Sequence, residues 1–93
     1  MSASVVVKLP PVLRLAVGGA RQLDAHGACI AEVVADVARR YPSLALHFYD
    51  ERGAIRRNIV FIHGDDVVRP PEAGEWAVSE GDELAITNAL AGG

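Results

Sequence analysis

Few side chains in this 93-residue sequence are placed to do chemistry. The one cysteine, Cys29, opens a helix-like pattern, where the helix dipole would stabilise a thiolate. No base or resolving cysteine accompanies it, and a small packing residue is the plainer reading. Cys29-x-x-Glu32 also has the outline of a capping box, with sulfur in place of the better hydroxyl. His26, His47 and His63 lack metal-ligand spacing and read as surface or turn residues. Asp65-Asp66 is a turn signal before it is an acid pair. Gly18-Gly19 lacks the further glycines and the helix start of a phosphate loop. What remains is the carboxylate of the last residue, Gly93, preceded by Leu90, Ala91 and Gly92. A carboxylate is a poor electrophile. It becomes reactive when coupled to a better leaving group such as AMP, in a site that excludes water, because an acyl-adenylate hydrolyses readily.

A slim tail suits such a site. At the average glycine usage of roughly 7%, two final glycines arise by chance about once in two hundred chains, so the ending is suggestive by itself. Gly81-Asp82 marks a turn, Glu83–Thr87 reads as a strand, and the diglycine follows within a few residues. Five extended residues reach about 16 Å, enough to thread a narrow channel, and glycine brings no side chain to block it. A frayed, glycine-rich terminus is the competing reading.

The elements that must carry this tail follow from periodicity. Val5, Val7 and Leu9 alternate with Ser4, Val6 and Lys8 in the pattern of a half-buried strand ended by Pro10-Pro11. Val12–Val17 is apolar and irregular, Gly18-Gly19 marks a tight turn, and Arg21–Ala25 returns as an antiparallel strand closed by His26-Gly27. Ile30, Val33, Val34 and Val37 then recur at helical spacing, with Glu32, Asp36, Arg39 and Arg40 opposite and Pro42 as a stop. Leu44–Tyr49 reads as a helical turn or an irregular packing segment, and Asp50–Gly53 as a polar turn. Ile59–Ile62 is a continuous apolar run expected as the middle strand, and Val67-Val68 as a short edge strand. One mixed sheet packed on one helix accommodates this order. If Val60 and Ile62 face the helix, Ile59 and Phe61 face outward as a docking patch for a partner. Alternatively, residues 44 to 55 fold over that face and bury them.

Composition narrows the partners. With 51% hydrophobic residues the chain can build a core, and a net charge of -3 provides no basic footprint for nucleic acid or an anionic membrane. A single cysteine permits no internal disulfide, and no signal-peptide pattern opens the sequence, so a cytoplasmic location is expected.

The strand and helix order, with Gly81-Asp82-x-Leu84-x-Ile86 followed by Ala91-Gly92-Gly93, resembles the ubiquitin-like sulfur carrier proteins of the MoaD and ThiS type. Leu9-Pro10-x-x-Leu13-Arg14, Gly18-Gly19, the long insertion before the middle strand and Val60–Val67 are most similar to the CysO subgroup. The likeness runs along nearly the whole chain. Thr87-Asn88-Ala89 stands where the pattern has a proline, His63 stands where asparagine is usual, and Trp76 is unusual.

The resemblance implies an α+β, β-grasp fold over residues 1–88, with four to five strands on one main helix, and a flexible tail at 89–93. It implies that a ubiquitin-activating-type enzyme uses ATP and Mg to adenylate Gly93, and that sulfur displaces AMP to leave a thiocarboxylate. A sulfur-accepting biosynthetic enzyme, making cysteine, thiazole, molybdopterin or a sulfur-containing secondary metabolite, then draws on it. Gly93 would carry the chemistry, with Leu90, Ala91 and Gly92 threading partner sites and Ile59 and Phe61 docking the body. The chain would be a monomeric co-substrate when free, binding no cofactor or metal of its own. A protein modifier joined to lysines, a molybdopterin synthase small subunit and an inert interaction module are the rivals.

Overall fold

In the computed structural model, which describes residues 2–88, the N-terminal alternation forms strand β1 (Ala3–Lys8). Val5, Val7 and the following Leu9 are buried on one face, while Ser4, Val6 and Lys8 turn to the other. The stretch expected to be irregular instead forms a short helix α1 (Pro11–Arg14) and a 3-10 turn over Leu15–Val17. Pro11 explains the start: its missing N–H is not needed in the first helical turn, and its fixed φ suits the helix. The turn closes on Gly18, whose φ of 69° is left-handed and favours glycine. Strand β2 (Gln22–Gly27) then pairs antiparallel with β1, running on through His26 and Gly27.

Helix α2 (Ile30–Arg40) buries the expected stripe of Ile30, Val33, Val34 and Val37. Its first N–H groups find their acceptors far along the chain. Ile30 N–H donates to the Trp76 carbonyl and Ala31 N–H to the Ala73 carbonyl, both at 3.0 Å. Cys29 makes no side-chain cap bond, and Glu32 accepts from the Ala28 N–H at 2.8 Å. The box-like pattern therefore supplies only its acidic half, shifted by one residue. Near the C-terminal end, Arg40 pairs with Asp36 at 3.2 Å as the i,i+4 spacing predicts. Pro42 does stop α2, but it also starts helix α3 (Pro42–Phe48), which buries Leu44 and Phe48 one turn apart.

Strands β3 (Ile59–His63), β4 (Asp66–Val68) and β5 (Glu83–Asn88) complete a five-stranded sheet in the order β2-β1-β5-β3-β4. All neighbours are antiparallel except β1 and β5, which run parallel at the centre. The expected middle strand, β3, thus lies one place off centre, and β5 holds the middle. Both α2 and α3 bury their apolar residues in one cluster with Val5, Val7, Phe61, Leu84 and Ile86. This is the α+β, β-grasp arrangement. Gly81, with φ of +85°, turns the chain into β5; its N–H donates to the Ser4 carbonyl at 2.8 Å, and Val6 N–H donates to the Asp82 carbonyl at 2.9 Å. No described helix is long and apolar enough to cross a membrane.

Candidate functional site

The last described strand, β5, lies at the centre of the sheet. β5 pairs with β1 along Glu83–Ala85 and with β3 along Leu84–Asn88, ending where Asn88 lies opposite Ile59. Leu84 and Ile86 anchor it in the core. Four of the expected site residues, Leu90, Ala91, Gly92 and Gly93, lie outside the described residues.

The expected docking pair is corrected. Ile59 and Phe61 are 2% and 0% exposed and belong to the core cluster. Phe61 is registered against Ile86 on β5 and Val68 on β4, both buried on the helix-facing side, and α3 contributes Leu44 and Phe48 to the same cluster. The covered reading of these two residues is therefore the right one. A run of four apolar residues carries no alternation from which its inner face could be read.

The other sheet face carries Val60 and Ile62, with Val6 and Ala85 beside them. Ile62 pairs across the strands with the exposed Val67, and Lys8 bridges to Glu83 at 3.4 Å. A wide groove of about 870 Å³ runs over this face between Val6, Lys8, Ile62 and Ala85 toward Asp65, Asp66 and Asp82. Its acidic end is at the start of β5, at the opposite end of that strand from Asn88. A smaller groove of about 340 Å³ lies at the opposite end, where β5 finishes, between Val12, Leu46, Arg56, Asn58 and Asn88.

His63, expected on the surface, is instead half-buried in a polar chain. The Trp76 indole Nε1–H donates to His63 Nδ1 at 2.9 Å, and His63 Nε2 lies 2.7 Å from Asp82 Oδ2. An indole N–H can only donate, so Nδ1 holds the lone pair and Nε2–H donates to the carboxylate. Asp82 also accepts the Ser79 N–H at 2.8 Å. The His63 bond, followed by the Ser79 bond, holds the Asp82 carboxyl below its ordinary range despite partial burial. A His–Asp pair could pass for a catalytic dyad, but both ring nitrogens are engaged, leaving none to take a proton from a substrate. The network ties the end of β3 to the segment entering β5. Sequence spacing gave no warning of it; only the β3–β5 pairing, with His63 opposite Leu84, brings Asp82 alongside.

No protein-family model matches the chain. Over 92 residues it is 28% identical to the sulfur carrier protein CysO of Mycobacterium tuberculosis strain H37Rv, covering 97% of this chain and 99% of that protein. It superimposes on a chain of the Amycolatopsis orientalis BexX/CysO complex with a TM-score of 0.80 and 34% identity, over 96% and 99% of the two chains. The solution structure of small archaeal modifier protein 1 from Methanosarcina acetivorans matches with a TM-score of 0.82 and 26% identity, over 100% and 99%. With the β-grasp sheet and this full-length likeness in hand, the chain belongs to the ubiquitin-like sulfur carrier proteins, in their CysO group.

Proposed function

We propose that this protein carries sulfur on its C-terminal carboxylate, acting as a co-substrate of partner enzymes in the cytoplasm. A ubiquitin-activating-type enzyme receives the tail with Mg-ATP. A Gly93 carboxylate oxygen attacks the α-phosphorus and pyrophosphate leaves. Hydrosulfide then attacks the acyl carbon, AMP departs with the bonding electron pair, and a thiocarboxylate remains. A biosynthetic enzyme takes sulfide from it, and water supplies the oxygen that restores the carboxylate. Gly92 and Ala91 pass through the narrow part of each partner site, since neither has a bulky side chain, and Leu90 lies at its mouth. The observation that carries this reading is the full-length likeness, at 34% identity, to a chain of the BexX/CysO complex in a sequence that ends Ala91-Gly92-Gly93.

The test is the intact mass after incubation with an actinobacterial activating enzyme, Mg-ATP and sulfide. The expected result is a gain equal to one oxygen replaced by sulfur, lost when Gly92 and Gly93 are deleted. A deletion variant that still supplies sulfur would sink the reading. The likeness to small archaeal modifier protein 1 favours a second use of the same activated carboxylate, amide formation with lysines of other proteins. Covalent conjugates of higher mass in cell extracts, absent with the deletion variant, would support it.

A further inference from the structure

The chain from Trp76 through His63 to Asp82 holds in only one protonation state of its middle member. Trp76 Nε1–H donates to His63 Nδ1 at 2.9 Å, with the two ring planes at 86°. The indole hydrogen therefore fills the place where an imidazolium carries its second proton, and the indole nitrogen has no lone pair to accept that proton in return. His63 Nε2–H donates to Asp82 Oδ2 at 2.7 Å, a bond that an imidazolium keeps. A proton on Nδ1 breaks one bond of the chain and spares the other. Water reaches the site, since the His63 side chain is 20% exposed and that of Asp82 28%.

We infer that His63 is a proton-operated latch on the connection between β4 and β5: neutral, it holds Trp76 against the end of β3, and charged, it lets the indole go. The backbone shows what the latch steadies. Ile30 N–H donates to the Trp76 carbonyl and Ala31 N–H to the Ala73 carbonyl, while Val78 N–H donates to the Ala28 carbonyl at 3.1 Å and Ala77 bridges to Cys29. Residues 73–78 thus cap the start of α2, and the indole bond ties that cap to the sheet. Ala73 and Val78 are buried in the core, so release of Trp76 loosens the helix start without unfolding the domain. Charged groups face His63 from every side of the groove. Asp82 and Glu83 enter β5 beside it, Asp65 and Asp66 come from the turn into β4, where Asp66 pairs with His63, and Lys8 from β1 is the cation lining the same groove. The 3-10 turn Pro70–Glu72, also packed on β3, brings one charge of each sign, Glu72 and its N-cap Arg69. An imidazolium here is set among acids, and what it forfeits is the Trp76 bond.

NMR of the full-length chain between about pH 8 and about pH 5 tests this, the range in which histidine changes charge. The Asp82 carboxyl, held below its ordinary range by the His63 and Ser79 bonds, stays ionised throughout. The indole N–H resonance of Trp76, the only tryptophan, should move in step with the imidazole C–H resonances of His63. Protection of the Ile30 amide from exchange, corrected for the intrinsic effect of pH, should fall roughly fivefold as His63 charges, the loss of one ordinary hydrogen bond. In His63→Gln it should stay level, because glutamine offers an acceptor to the indole and a donor to Asp82 but gains no charge. In Trp76→Phe, which has no indole to hold, protection should be low across the whole range. Circular dichroism checks that both variants fold, and the wild-type titration stands without them. A Trp76 resonance and Ile30 protection that ignore the charging of His63 would overturn the inference. So would an equal fall in His63→Gln, which would assign the change to another titrating group.

Discussion

Two residues show how single contacts carry this fold. A Cβ built on Gly27 would lie 2.6 Å from the Val33 nitrogen and 2.9 Å from the Glu32 carbonyl carbon. Both are backbone atoms of the first turns of α2, so neither can move aside without shifting the helix off β2. Gly27→Ala should cost about 1–3 kcal/mol, the usual scale of overpacking, seen as a lower midpoint in denaturant. Asp82 acts through protonation. Its carboxyl is held below the ordinary value by the bonds from His63 and Ser79, so its folded pKa is lower than its unfolded one. Its stabilisation is complete above the unfolded value and disappears as pH falls through the folded value. Asp36 is also lowered, burial being outweighed by the His26 N–H and the two arginines, so the comparison must isolate one group. Asp82→Asn keeps an acceptor but cannot titrate in this range. The variant's stability should therefore fall less steeply than the wild type's from about pH 5 downward, measured by urea unfolding along the acid limb. Parallel slopes would remove Asp82 from the account. Trp76, the only tryptophan, donates to His63 and reports the network by fluorescence in the same experiment.

Among the elements, β3 separates a core role from a docking role most sharply. Phe61 lies beneath α2 and α3, whereas Ile62 points to the open face and is exposed. Phe61→Ala should lose about 3–5 kcal/mol through lost burial and a cavity, a large fraction of the stability of a domain this size. Ile62→Ala should cost far less. Thermal unfolding of the two variants distinguishes them, and equal costs would mean the strand faces are wrongly assigned. Helix α2 depends on distant chain in another way. Its first N–H groups are satisfied by the Ala73 and Trp76 carbonyls, so the segment before β5 caps the helix while presenting Trp76 to His63. The connection from β4 to β5 is thus a structural brace holding the helix start and the central strand together.

At the scale of the whole molecule, the body and the tail have separable tasks. Every described residue of the core lies before residue 87, so deleting Gly92 and Gly93 should leave the unfolding midpoint unchanged while abolishing thiocarboxylate formation; a lowered midpoint would show that the tail supports the body. What depends on near neighbours along the chain could be read before any packing was known. The alternation of β1, the helical stripe of Ile30, Val33, Val34 and Val37, the glycine turns and the diglycine ending all express local backbone geometry and side-chain period, and with the family resemblance they sufficed for the fold. What depends on strand register could not be read that way. Ile59–Ile62 is apolar at every position, so only pairing with β4 and β5 could send Phe61 inward and Ile62 outward. His63 lies 13 residues from Trp76 and 19 from Asp82, and no local rule brings the three together. Val12 and Leu46 read as ordinary apolar residues until α1 and α3 meet beside the end of β5. Burial and long-range hydrogen bonding are properties of the packed chain, because they are set by which distant segments come to lie side by side.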